Sequence, residues 1–137
     1  TWYNYIIRAT VKKRTSIDLS KFAEFRKWLT ADLHHYINQF GTVAAWGAGH
    51  QALAMLSLAN LGDKIKYIID DAPFKQNKYS PATHIPIVSS KNLDIDPVDA
   101  VIVMAASYSD EVATKLKESH GDKVKIAILR ERNLEYL

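Results

Sequence analysis

Residues 42–56, Thr-Val-Ala-Ala-Trp-Gly-Ala-Gly-His-Gln-Ala-Leu-Ala-Met-Leu, most constrain what this chain can fold into. The first five are apolar and mostly small, the pattern of a short strand covered on both faces. Gly47 permits a tight turn with backbone angles that a side chain resists, and Gly49 leaves room for another molecule to approach the main chain. Ala52 takes the third place of a G-x-G-x-x-G/A spacing, small enough for a helix to lie close against the strand. The first amides of that helix lack partners within it and its dipole favours negative charge, so a phosphate or carboxylate is the expected guest. A small-residue turn that serves only packing is the competing explanation.

The flanking segments extend this unit into a sheet. Residues 64–69 form a second apolar strand closing on Asp70-Asp71, about 20 positions beyond the glycines, where a ribose hydroxyl is often held. Residues 99–105, Asp-Ala-Val-Ile-Val-Met-Ala, form a buried third strand, and residues 123–129 a fourth. A helix over 50–61 ends at Gly62, and another over 110–119 is capped by Ser109 and ended by Gly121. Strands joined by right-handed helical crossovers give a doubly wound parallel α/β sheet in the order 2-1-3-4, counting from Thr42. Upstream, Leu19, Phe22, Phe25, Leu29, Leu33, Tyr36, Ile37 and Phe40 recur at helical spacing between a capping Asp18 and a terminating Gly41. Residues 2–11, β-branched and aromatic, read as an N-terminal strand that needs a sheet to join. His34 and His35 are adjacent and face different ways, so they are surface residues rather than a shared metal site.

With 137 residues, the chain is long enough for one domain with a real core and a small extra piece. A net charge of +3, with acids and bases intermixed, argues against nucleic acid, since Lys12-Lys13-Arg14 is the only basic cluster. The absence of cysteine excludes a disulfide framework and a thiolate metal site. No apolar run of transmembrane length and no signal peptide is visible, which fits a cytoplasmic protein without a membrane partner. The chain opens on Thr1 rather than Met, with a strand-like pattern almost at once, as expected of a piece of something longer.

Ligands of such sheets bind outside the carboxyl ends of the strands where the strand order reverses. Three segments converge there: residues 47–50, 70–84 and 105–108. The middle one holds three prolines within 72–86 and is expected to fold over the glycine turn, anchored by Phe74 and Ile85, so that Lys75, Tyr79 or His84 faces the anion. The candidate substrate-binding set is Gly47, Ala48, Gly49, His50, Asp70, Pro73, Lys75, Tyr79, Thr83, His84, Ser107 and Tyr108. No catalytic residue is assigned. There is no H-E-x-x-H, P-loop or G-x-S-x-G, and Ser107, Tyr108 and Glu111 make no recognisable proton-transfer set, so a binding domain is the reading.

These residues carry a resemblance. Val43-Ala44-Ala45-Trp46-Gly47-Ala48-Gly49 is similar to the V-x-x-aromatic-G-A motif that opens the C-terminal domain of S-adenosylmethionine-dependent sugar C-methyltransferases. The run from Asp70 through Pro73 and Lys75 to Asn77, then Pro81-Ala82-Thr83-His84-Ile85-Pro86-Ile87, resembles that family's D-x-x-P-x-K-x-G and P-G-T-x-I-P-I patterns. The resemblance covers residues 18–129. It implies a Rossmann-like domain over 15–137 that helps enclose a nucleotide sugar or related phosphorylated metabolite. It also implies that residues 1–14 are the closing strand of a preceding methyltransferase domain, which would carry the S-adenosylmethionine and the acid/base residues. This fragment itself would bind no cofactor and be incomplete as a catalyst. Asn77 and Ala82 depart from the family by standing where it has glycine, and His50-Gln51 replaces its usual continuation, so the ligand is open to difference. Two other readings of the residues remain. In one, Gly47, Gly49, Ala52 and Asp70 hold NAD(P) in an oxidoreductase domain. In the other, the long helix is the docking face of a non-catalytic interaction module.

Overall fold

A computed structural model describes residues 18–137. The expected strand over 2–11 and the domain boundary near residue 14 lie outside the described residues. The elements in order are α1 (Ser20–Ile37), β1 (Val43–Trp46), α2 (His50–Leu58), β2 (Ile68–Ile69), β3 (Lys78–Tyr79), β4 (Pro86–Val88), α3 (Asn92–Ile95), β5 (Ala100–Val103), α4 (Ser109–His120), β6 (Lys125–Leu129) and β7 (Leu134–Tyr136). They build one seven-stranded sheet ordered β3-β4-β2-β1-β5-β6-β7. The expected 2-1-3-4 order is its centre, β2-β1-β5-β6, all parallel. A Rossmann-like α/β fold is the result.

Alternation along the central strands explains the two layers. Val43 and Ala45 turn to a core shared with Leu29, Leu33, Tyr36 and Ile37 of α1 and Ala52 and Leu56 of α2. Ala44, between them, faces the opposite core with Val101, Val103 and Ala113 and Leu116 of α4. Both faces are covered, so the strands have no polar side, and their apolar character follows from that.

The structure adds three strands to the expected four. β4 extends the parallel sheet beyond β2, β3 returns antiparallel beside β4, and β7 closes the other edge antiparallel to β6. Residues 72–86 are therefore not all loop, and the residues after Arg130 carry a strand of their own.

Several boundaries also differ from expectation. Asp18 Oδ1 accepts the Ser20 N–H at 2.9 Å, but the first helical carbonyl acceptor of α1 is Leu19. α1 stops at Ile37, short of Gly41. α2 stops at Leu58, where Asn60 takes the left-handed position (φ 56°) and the Leu61 N–H returns to the Leu56 carbonyl. This Schellman closure uses Asn where Gly is commoner, and it leaves Gly62 a different task. A Cβ there would lie 3.0 Å from the Thr83 carbonyl oxygen. Ser109 does not cap α4; its Oγ reaches back to accept the Ala105 N–H at 3.1 Å. His34, expected on the surface, is half-buried with Nε2 2.8 Å from the Ala59 carbonyl, tying α1 to the end of α2. Among the described residues, no helix is long and apolar enough to cross a membrane.

Candidate functional site

The crevice where strand order reverses lies between the carboxyl ends of β1 and β5 and encloses about 400 Å³. Gly47 forms its floor. Its φ is +118°, its N–H donates to Ile69 O at 2.8 Å, and a Cβ would lie 2.6 Å from Met104 O. Only glycine satisfies both conditions. Gly49 is extended and starts α2, accepting the Leu53 N–H through its carbonyl at 3.0 Å. A Cβ on Gly49 would meet nothing within 4 Å, and no side chain caps α2. The start of α2 is therefore open at Gly49 and its first amides have no side-chain cap, as an anion site requires.

One anion is already beside this turn. Asp70 Oδ2 accepts the Ala48 N–H at 2.9 Å and the Lys75 ammonium at 3.0 Å, while Oδ1 accepts the Ala72 N–H at 3.0 Å. Burial works to raise the Asp70 pKa, but the Ala72 amide, Lys75 and the Ala48 amide outweigh it and hold the carboxyl below its ordinary value. The Gln76 side-chain amide donates to Asp70 O at 3.1 Å, so residues 70–76 curl into a compact polar knot. Lys75 therefore faces the crevice as half of an ion pair, and its side chain is 29% exposed.

The candidate residues divide into two groups. Gly47, Gly49, His50, Asp70, Lys75 and Tyr108 line the crevice, and Ala48 lies buried directly beneath it. Pro73 is exposed on the turn of the knot, and Ser107 is exposed on the single 3₁₀ turn (Ala106–Tyr108) after β5. Thr83, His84 and Tyr79 are carried elsewhere. β3 pairs Tyr79 with Pro86, the first residue of β4, so the chain runs along the sheet edge and turns at the amino end of the strands. Thr83 packs there against Gly62, and His84 stacks on Tyr79 with ring centroids 4.3 Å apart. The segment does not fold as a lid over Gly47. Ile85 is buried as expected, but Phe74 is 70% exposed and anchors nothing.

Residues 19–129 match the family described as C-methyltransferase C-terminal domain. The chain belongs to that family. No curated protein matches it.

Membership gives the two departures from the family pattern a physical meaning. Asn77 and Ala82, standing where the resembled pattern has glycine, adopt φ of 61° and 62°. The glycines of that pattern thus correspond here to left-handed turn positions. Asn tolerates this conformation well, whereas Ala is strained in it by roughly 1–2 kcal/mol. Ala82 also sits at the amino end, remote from the crevice.

Sequence reasoning missed Asp71, Gln51, Met104 and Val112, which also line the crevice. Asp71 had a signal, standing beside Asp70 at a strand end; its Oδ1 accepts the Ser90 N–H at 2.8 Å. Gln51 belongs to a second cavity as well. A groove of about 1000 Å³ runs from the crevice along the α1 side, and the two share Gln51, Ala52, Met104 and Ala106. Among the described residues, no cluster of His, Asp and Glu could hold a metal ion.

Proposed function

We propose that this chain is the substrate-side domain of an S-adenosylmethionine-dependent C-methyltransferase, and that its crevice holds the anionic part of a nucleotide sugar or a related phosphorylated metabolite. The observation that carries the reading is the uncapped start of α2 facing an open crevice at the strand-order reversal. His50 and Gln51 open that helix, and Lys75 lies across the crevice with charge to offer. Family membership supplies the reaction class.

The methyl donor, which supplies an electrophilic methyl group when bound, is assigned to a preceding domain. Its adenosine would need a carboxylate free to accept two ribose hydroxyls, and Asp70 already accepts three hydrogen bonds, from Ala48, Ala72 and Lys75, so a ribose would compete with the knot's own donors. The same engagement argues against NAD(P), which asks the same of that acid. What this chain contributes is binding and orientation, with Tyr108 and the knot at 70–76 walling the crevice.

Isothermal calorimetry of the chain with a panel of sugar nucleotides, NAD and NADP tests the reading. Heat from sugar nucleotides with none from NAD or NADP is expected. Tight NAD binding without any response to sugar nucleotides overturns it. The reading frame upstream of Thr1 gives a second test, where a donor-binding methyltransferase domain is expected.

A further inference from the structure

We propose that the first turns of α1 are a self-association surface, through which two copies of this chain pair antiparallel, each filling the other's groove. The pairing does not depend on what the crevice holds. Leu29 and Leu33 of α1 are sealed in the core, but the same helix face continues towards its amino end through Phe22 to Leu19, both exposed. Beside this overhang lies the groove, walled by Phe25 and Trp28 of α1, Met55 of α2 and Leu129 at the end of β6. The Phe25 and Trp28 rings are 5.7 Å apart with planes tilted by 39°. All four side chains are only half-buried. One patch therefore carries both the apolar side chains that stand out and a recess of about 1000 Å³ to receive them. A two-fold contact, in which the same surface serves both partners, needs that self-complementarity.

Charge selects the partner. Lys21 and Glu24 stand three residues apart beside the groove, and neither makes an ion pair among the described residues. Two α1 helices running antiparallel about an axis near residues 22 and 23 set position 21 of each opposite position 24 of the other. Lys21 then meets the partner's Glu24, and symmetry repeats the pair. A parallel, in-register pairing would oppose like charges at both positions. Nucleic acid or an anionic membrane would ask for a rim of one sign, and here Lys21, Glu24, Glu131 and Arg132 alternate. With a net charge of only +3, two copies have little general repulsion to overcome.

Sedimentation velocity of the full chain over a concentration series reads the pairing directly, and a monomer–dimer equilibrium is expected. Phe22→Glu, which puts a carboxylate against the partner's groove, should leave the chain folded by circular dichroism and monomeric throughout. Lys21→Glu and Glu24→Lys should each weaken the dimer by about tenfold or more, because both reciprocal pairs become like-charge pairs. Mixed in equal amounts, these two variants should dimerise as the parent does, since each opposes the other with opposite charge. A chain carrying both changes should do the same. A parent that stays monomeric at every concentration would overturn the proposal. So would a dimer indifferent to Phe22→Glu, or single swaps that neither the mixture nor the double variant rescues. A monomeric parent whose Tm falls on Phe22→Glu would show in addition that the face is covered within the chain itself.

Discussion

The segment from Asp70 to Ile87 is really two regions joined at β3, and they are stabilised in opposite ways. The first, residues 70–76, is a polar knot at the carboxyl end of the sheet. Asp70 organises it through two backbone amides and one ammonium, and its largest apolar side chain, Phe74, is left in water. The second, residues 80–85, is a packed turn at the amino end. Ser80 is 3% exposed and its Oγ accepts the Ile85 N–H at 2.8 Å, while Ile85 is 1% exposed in the main core. One family motif covers both regions, yet only the first reaches the crevice. A contiguous pattern in sequence can therefore mix residues that line a crevice with residues that pack a core.

The largest effect should come from the packed turn. Ile85→Ala removes a core side chain and should lower unfolding free energy by about 2–5 kcal/mol, read as a fall in denaturant midpoint. Affinity for whatever fills the crevice should stay unchanged in the folded fraction. A loss of binding without a loss of stability would break the comparison.

Asp70→Asn is next. The amide is uncharged and has a single acceptor oxygen, so it cannot serve Ala48 and Lys75 on one side and Ala72 on the other, and a cost of about 1–3 kcal/mol is expected at neutral pH. The sign of the pH dependence is set by the depressed folded pKa. The Asp70 contribution is complete above the ordinary value of 3.8 and disappears as pH falls through the lower folded value. Denaturant titrations at a series of acid pH values should therefore show a shallower acid limb for the variant than for the parent.

A smaller effect of opposite sign belongs to the turn. Ala82→Gly relieves a left-handed alanine and should raise stability by up to about 1 kcal/mol, seen as an increase in Tm. Lys75→Ala should cost least, about 0.5–1 kcal/mol, because the pair is partly solvated and Asp70 keeps its amide donors. Its effect on anion affinity should be about tenfold or less, since the ammonium is already shared with Asp70. A hundredfold loss would mean that the ligand displaces Asp70 from Lys75.

The central sheet was legible because apolar runs mark its strands, and even β2, two residues long, closes the run Tyr67-Ile68-Ile69. Residues 43–46 and 100–105 are apolar throughout, and the helices between them supply the crossovers. β3, β4 and β7 are two or three residues each, too short for any period to register, and β4 opens on a proline. Missing the β3–β4 pairing is what turned residues 72–86 into an imagined lid and sent Tyr79, Thr83 and His84 to the crevice. The crevice-lining residues that were legible, Gly47, Gly49, His50 and Asp70, follow closely on a strand, where position follows from topology, whereas Lys75 reaches the crevice through the polar knot and not through the expected lid. Tyr108 followed from the same rule. The groove was invisible because it depends on how α1 leans on α2, which no spacing encodes. The periodicity of α1 promised one buried stripe, yet Leu19 and Phe22 remain 64% and 49% exposed while Leu29 and Leu33 are sealed.

The contact between position 47 and the Met104 carbonyl has a consequence for how this protein can vary. Two glycines stand one residue apart, and a saturation library would treat them as different kinds of letter. At Gly47 every replacement collides with backbone that cannot yield, so survivors selected for folding should retain a single residue. At Gly49 the space is open, so the same selection should pass many residues, and only a selection for binding should narrow them. The width of the tolerated alphabet at Gly49, measured twice under those two pressures, would then report the size of the ligand group that comes to rest against the main chain.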